Sequence, residues 1–326
     1  MVSAMRPYRL RSDLRRERAG QFGYPLGVVP PDAEEPHQGW TKTLDDGPDA
    51  VGTTASYHVL VSSDRMKPLI DAAFGLLPPR VAAIVELGSC DAYRRVDVFM
   101  SAEPISLETF RDIWEHYEPF LLEDATMAIG ANAESPVIEV FLEQDKVLHL
   151  HVPRRMTGDV EQLLERFDLK QVDCHWDREL PENDVLEIRP VLASGEGFTE
   201  SIDDLLLDLK LAWDLVLNID PDRNVDDGGR ELGLTLWHAL VVMESRDPPL
   251  ERTASASIWA TARSLSEMQA IVEDALAVYA DWSIVADYAV DRVAYDERPD
   301  DLATLPPRRR RAAVHIVDVQ TSDLAP

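Results

Sequence analysis

Ser106-Leu107-Glu108-Thr109-Phe110-Arg111-Asp112-Ile113-Trp114-Glu115 is matched near the far end of the chain by Ser264-Leu265-Ser266-Glu267-Met268-Gln269-Ala270-Ile271-Val272-Glu273. The first stretch opens on a serine suited to cap a helix. Leu107, Phe110, Ile113, Trp114, Tyr117 and Leu121 then recur at three- and four-residue spacing. That pattern predicts a helix reaching about Leu122 with one apolar side.

Working outward, further pairs follow in the same order. Tyr57-His58-Val59-Leu60-Val61 reads as a strand and matches Trp237-His238-Ala239-Leu240-Val241 as aromatic-His-x-Leu-Val. Val137-Ile138-Glu139-Val140-Phe141-Leu142 corresponds to Val290-Asp291-Arg292-Val293-Ala294-Tyr295, and Val147-Leu148-His149-Leu150-His151 to Ala313-Val314-His315-Ile316-Val317. The shared order is read as a degenerate internal repeat. An insertion carrying Pro299, Asp300, Asp301, Pro306, Pro307 and Arg308 to Arg311 separates the last two strands of the second copy, where the first has a tight connection at Gln144-Asp145.

The remaining pattern fills in a mixed fold. A helix over Met66–Leu77 stops at Pro78 and Pro79, and Val81–Leu87 and Arg95–Met100 read as strands. Val160–Phe167 reads as helix, while Gln171–Trp176 and Val185–Leu192 read as extended segments. Ser201 is placed to cap a helix through Leu217 with Leu205, Leu206, Leu209 and Trp213 on its apolar stripe. The fold class expected is α+β, with duplicated mixed or antiparallel sheet units covered by helices, and a ferredoxin-like layout is compatible with it. The expected domains are an extended basic-to-acidic arm over 1–52, a first α/β domain over 53–195 and a second over 196–326.

Charge narrows the partners. Sixty acidic against thirty-two basic residues give a formal net charge of -28 over 326 residues. An acidic surface of that size repels nucleic-acid phosphate and anionic lipid, so direct nucleic-acid binding and membrane association are not expected. Two cysteines, Cys90 and Cys174, suit a reducing compartment. The chain holds no run of about 20 apolar residues, and its arginine-rich start lacks an apolar segment of the secretory kind. A soluble cytoplasmic protein is the expectation.

Three groups of residues are candidates for binding or chemistry. Asp220, Asp222, Asn224, Asp226 and Glu231 fall at positions 1, 3, 5, 7 and 12 of a stretch that resembles an EF-hand calcium loop, which implies weak calcium or magnesium binding. Val225 stands where that family uses glycine for a sharp turn. His149 and His151 share one face of a strand, and Cys174-His175 could bring further zinc-competent groups if its segment lay beside them. Arg15, Arg16 and Arg18 in the arm, with Arg308, Arg309, Arg310 and Arg311 in the insertion, are suited to binding acidic surfaces or to self-association.

Catalytic signatures are sparse. The chain has no Gly-x-Ser-x-Gly elbow, no Walker phosphate loop and no Gly-x-Gly-x-x-Gly fingerprint. Ser89-Cys90-Asp91 could present a thiol, but nothing in the sequence ties it to His58, His116 or His175. The expectation is therefore a non-enzymatic protein-binding or assembly protein, acting through a protein partner or self-association. The alternatives are a metal-dependent enzyme or metal-regulated protein using the 220–231 loop, and an acidic inhibitor or nucleic-acid mimic.

Overall fold

The computed structural model describes residues 7–30, 35–45, 54–176, 187–195, 199, 201–246, 252–306 and 311–322. Two compact units divide the chain. The first comprises Met1–Leu87 and Val98–Leu217, the second Gly88–Asp97 and Asn218–Pro326. The segment up to Leu217, placed after the 195/196 boundary by the sequence pattern, thus belongs with the first unit.

The first unit contains short strands β1 (Arg18–Ala19), β2 (Phe22–Gly23) and β3 (Val28–Val29), followed by β4 (Gly39–Asp45), β5 (Thr54–Leu60), helix α1 (Ser63–Ala73) and β6 (Arg80–Gly88). Then come β7 (Val96–Ser101), β8 (Ile105–Ser106), α2 (Leu107–Leu121), β9 (Met127–Glu134), β10 (Val137–Leu142), β11 (Leu148–Pro153), α3 (Thr157–Arg166), β12 (Glu187–Ile188), α4 (Ile202–Trp213) and β13 (Leu215–Leu217). The main sheet has the order β13-β7-β6-β9-β10-β11-β5-β4, with β8 added to β6.

Alternation along the strands decides which face of this sheet is covered. Leu148, Leu150 and Val152 of β11 are fully buried in one core with Tyr57 and Val59 of β5, Ile138, Val140 and Leu142 of β10, and residues of all four helices. The intervening residues, His149 and His151 among them, stand on the opposite face. Helix α2 anchors the covered side. Its Ser106 hydroxyl accepts from the Thr109 amide at 3.0 Å, and Phe110 stacks on Trp213 of α4 with ring centroids 5.0 Å apart. Burying each such aromatic contributes roughly 1.5–3 kcal/mol.

Helix α4 is shorter than its apolar stripe suggested. It ends at Trp213 because Asp214 adopts a left-handed conformation, φ 52°, and Leu215–Leu217 leaves to pair with β7. Much of the segment read as an arm is built into this unit. Phe22, Tyr24 and Val28 share a small core with Leu60, Ala125 and Val147, while β4 pairs along the full length of β5. The stretch Gln171–Trp176, read as extended, forms an isolated bridge from Gln171 to Trp40 rather than a strand.

The second unit contains β14 (Thr235–Ser245), β15 (Thr253–Ala262), α5 (Leu265–Leu276), β16 (Trp282–Val293) and β17 (Ala313–Ser322). They form an antiparallel sheet of order β16-β14-β15-β17. Trp237, Ala239, Val241 and Met243 point into a core with Met268, Val272 and Leu276 of α5. Ser264 caps α5 by accepting from the Glu267 amide at 3.2 Å.

Helix α5 follows the strand pair β14–β15 and α2 follows β6–β7 with the short β8 between, and β7-β6-β9 has the same neighbour order as β15-β14-β16. The strand bearing His58 does not share the place of the strand bearing His238: β5 lies four positions from β6, whereas β14 is the strand that precedes the β15–α5 connection. Among the described residues, no helix is long and apolar enough to cross a membrane.

Candidate metal centre

The sheet face opposite the helix-packed core of the first unit brings three donors together. β5 and β11 run antiparallel with His58 directly opposite His149, and side chains so paired have their Cβ atoms within about 5.5 Å. The two imidazoles accordingly stack, with centroids 4.8 Å apart and planes 13° from parallel. Phe141 of β10 lies opposite His149 on the other side. Glu143, two residues further along, stands on that same face just past the strand end, where its amide donates to the Val147 carbonyl at 3.0 Å.

One ligand atom from each of His58, Glu143 and His149 lies within 4.8 Å of the other two, and all three residues are half-buried. Metal bonds to nitrogen and carboxylate oxygen of about 2.0–2.2 Å need only a slight inward movement of such a trio. Among the described residues this is the group of three or more His, Cys, Asp or Glu with that convergence.

Several carboxyl groups are crowded and desolvated around these donors. Burial, and then the charge of Asp145, push the Glu143 carboxyl up to about 7. Burial also raises Asp145, and burial followed by Glu139 raises Glu86. Burial, reinforced by His149 and His175, lowers His58, which keeps its imidazole neutral and its lone pair available near neutral pH. Lys146 lies in the same turn, but burial drives it down to about 8 and its Nζ donates to the Met127 carbonyl at 2.9 Å. Beside the trio, Ile84, Ala128 and Phe141 form an apolar strip with Val98 and Met100.

The other zinc-competent groups named from the sequence are engaged differently. His151 Nδ1 lies 2.8 Å from the Ser56 hydroxyl. Both ring nitrogens of His175 face main-chain carbonyls, those of His37 at 3.1 Å and His58 at 3.0 Å. Cys174 is exposed and outside the converging trio.

Compared with known protein families, curated proteins and solved structures, the chain matches none.

The acidic loop's candidate side chains have partners within the second unit. Asp220 accepts from the Asp222 amide, and Asp222 from the Ser266 hydroxyl. Asn224 is buried and accepts from Arg292. Asp226 pairs with Arg230 at 3.1 Å, and Glu231 with Arg223 at 3.1 Å. Among the described residues, no three of these side chains converge as His58, Glu143 and His149 do.

Of the arginines, Arg16 makes a two-pronged pair with Glu123 at 3.0 and 2.6 Å. Arg18 lies exposed on β1, Arg15 gives its carbonyl to Arg189, and Arg311 is exposed. Arg308, Arg309 and Arg310 lie outside the described residues. Sequence reasoning reached His149 but missed Glu143 as its partner and treated His58 only as a conceivable base. The usable signal was the alternation Glu139-x-Phe141-x-Glu143 across a predicted hairpin from His149-x-His151.

Proposed function

We propose that the chain is a metal-binding protein that holds a divalent transition-metal ion of the zinc type between His58, Glu143 and His149. The observation that carries this reading is the convergence of two stacked imidazoles and a carboxylate within 4.8 Å. A donor set of two nitrogens and one oxygen suits zinc and its neighbours, whereas calcium takes six to eight oxygens. Three protein ligands also leave a position for water or an external ligand, and a metal bound there would act as a Lewis acid. This is the metal-regulated or metal-dependent reading with its site moved from the 220–231 loop to the sheet face.

The test is to strip the full-length protein with a chelator and titrate it with zinc or cobalt(II), following metal content and heat. One equivalent bound is expected, with loss of binding in His58→Ala and His149→Ala. Absence of any response overturns the reading.

A second reading, assembly through self-association, draws support from the second unit, where Val278, Ile284 and Val285 are exposed at 78 %, 39 % and 37 %. Light scattering at low and high salt tests it, and a strict monomer at both counts against it. Duplication within the fold is supported by the like-capped helices α2 and α5 and by the shared strand order beside them. The ferredoxin-like layout draws support from the first unit's chain order β5-α1-β6-β7-β8-α2-β9, although β10 and β11 lie between β9 and β5 in the sheet.

A further inference from the structure

We infer that Glu139 is a positioning residue for this centre, holding the His149 ring by its Nδ1 side so that His149 meets the metal through Nε2. The inference rests on the three-ligand reading above and assigns a role to a fourth residue on the same sheet face.

The register explains how Glu139 reaches His149. In the β10–β11 pair Glu139 stands opposite His151 and Phe141 opposite His149. Glu139 is thus the diagonal neighbour of His149, a separation of about 7–8 Å that a long side chain spans. Its Oε1 approaches His149 Nδ1 to 3.5 Å, with both side chains about one quarter exposed. His151, the in-register neighbour, has its own Nδ1 engaged with the Ser56 hydroxyl at 2.8 Å.

A carboxylate facing one ring nitrogen selects the tautomer that carries its proton there. The lone pair then resides on the opposite nitrogen, and the ring is both oriented and made more basic toward a metal. Glu139 does not join the converging trio itself. Its place is behind His149, as a ligand to the ligand.

Glu139→Gln keeps the side-chain volume and removes the charge. Zinc affinity of the full-length variant is expected to fall about 10–100-fold, as for other partners behind a metal-bound histidine. A purely structural role would alter thermal stability without altering the ring, so nitrogen-15 NMR of the histidines in zinc-loaded wild type supplies the second readout. His149 is expected to show a protonated Nδ1 and a metal-bound Nε2.

Binding of zinc by His149 through Nδ1 would overturn the inference, as would unchanged affinity in a folded Glu139→Gln variant. If Glu139→Gln fails to fold, the wild-type spectrum alone decides. Failure of the underlying reading looks different, because His58→Ala and His149→Ala would then leave zinc binding unaffected.

Discussion

The polar cluster around Arg292 in the second unit and the one around His149 in the first treat their charges in opposite ways. Arg292 is 4 % exposed, and its Nε lies 2.8 and 3.1 Å from the two oxygens of Asp91. Its Nη1 donates to Asn224 at 2.9 Å and to the Val225 carbonyl at 2.6 Å. Tyr93 and Trp237 rings flank the guanidinium at 5.3 and 5.8 Å, and Arg94 bridges Asp91 and Asp97. Two arginines face two aspartates, and nothing further is asked of the site.

Around His149 the balance is different. Glu86, Glu143 and Asp145 are all pushed toward their protonated forms, and the buried Lys146 is pushed toward its neutral one. A polar cluster whose charges are matched internally acts as scaffold. One that crowds donors and carboxylates without such matching is the place where the proposed cation would be accommodated.

The comparison breaks most severely at Asp91. Asp91→Ala strands a buried guanidinium and is expected to cost about 3–5 kcal/mol in denaturant unfolding, as for other broken buried pairs. A cost under about 1 kcal/mol would mean that Arg292 is not held as described.

Lys146 should respond the other way. Its folded-state pKa of about 8 is depressed from 10.5, so between those values the unfolded chain holds the proton more tightly and stability rises with pH. Below about pH 8 the full penalty is carried, on the order of 3 kcal/mol. Lys146→Met removes the charge but also the donor to Met127. Its stability relative to wild type is expected to be greatest at pH 7 and to decline as pH rises from about 8 toward 10.5. A pH-independent difference would show that burial does not penalise the ammonium.

Smaller effects sharpen the picture of the scaffold. Ser106→Ala and Ser264→Ala each remove one helix cap and should cost about 1 kcal/mol in thermal or chemical unfolding. Glu231→Gln should leave bound zinc unchanged in metal analysis, because that carboxylate pairs with Arg223. A drop in zinc content would return the acidic loop to consideration.

Local physics carried the sequence reading a long way and then ran out at definite places. Ser106 and Ser201 announced α2 and α4 because capping and apolar spacing are properties of adjacent residues. The hairpin through Gln144-Asp145 was legible for the same reason. The end of α4 was not, since the left-handed turn at Asp214 is dictated by the pairing of Leu215–Leu217 with β7. β4 was hidden because the glycines and prolines around it outweighed its few strand-forming residues.

The converging trio of His58, Glu143 and His149 shows the same limit. His149 could be placed on a strand face by alternation alone. Its pairing with His58 depends on the β5–β11 register, which joins segments far apart in the chain and leaves no local trace. The acidic loop differs: its spacing resembles a calcium site, and three of its five candidate side chains, Glu231, Asp226 and Asn224, meet Arg223, Arg230 and Arg292.

The most direct test compares zinc content and isothermal titration of three full-length proteins: wild type, the His58→Ala/His149→Ala double variant and Glu231→Gln. One equivalent in wild type and in Glu231→Gln, with none in the double variant, is the result predicted. Equal binding by the double variant, or no binding by wild type, would contradict the assignment of the centre to the sheet face.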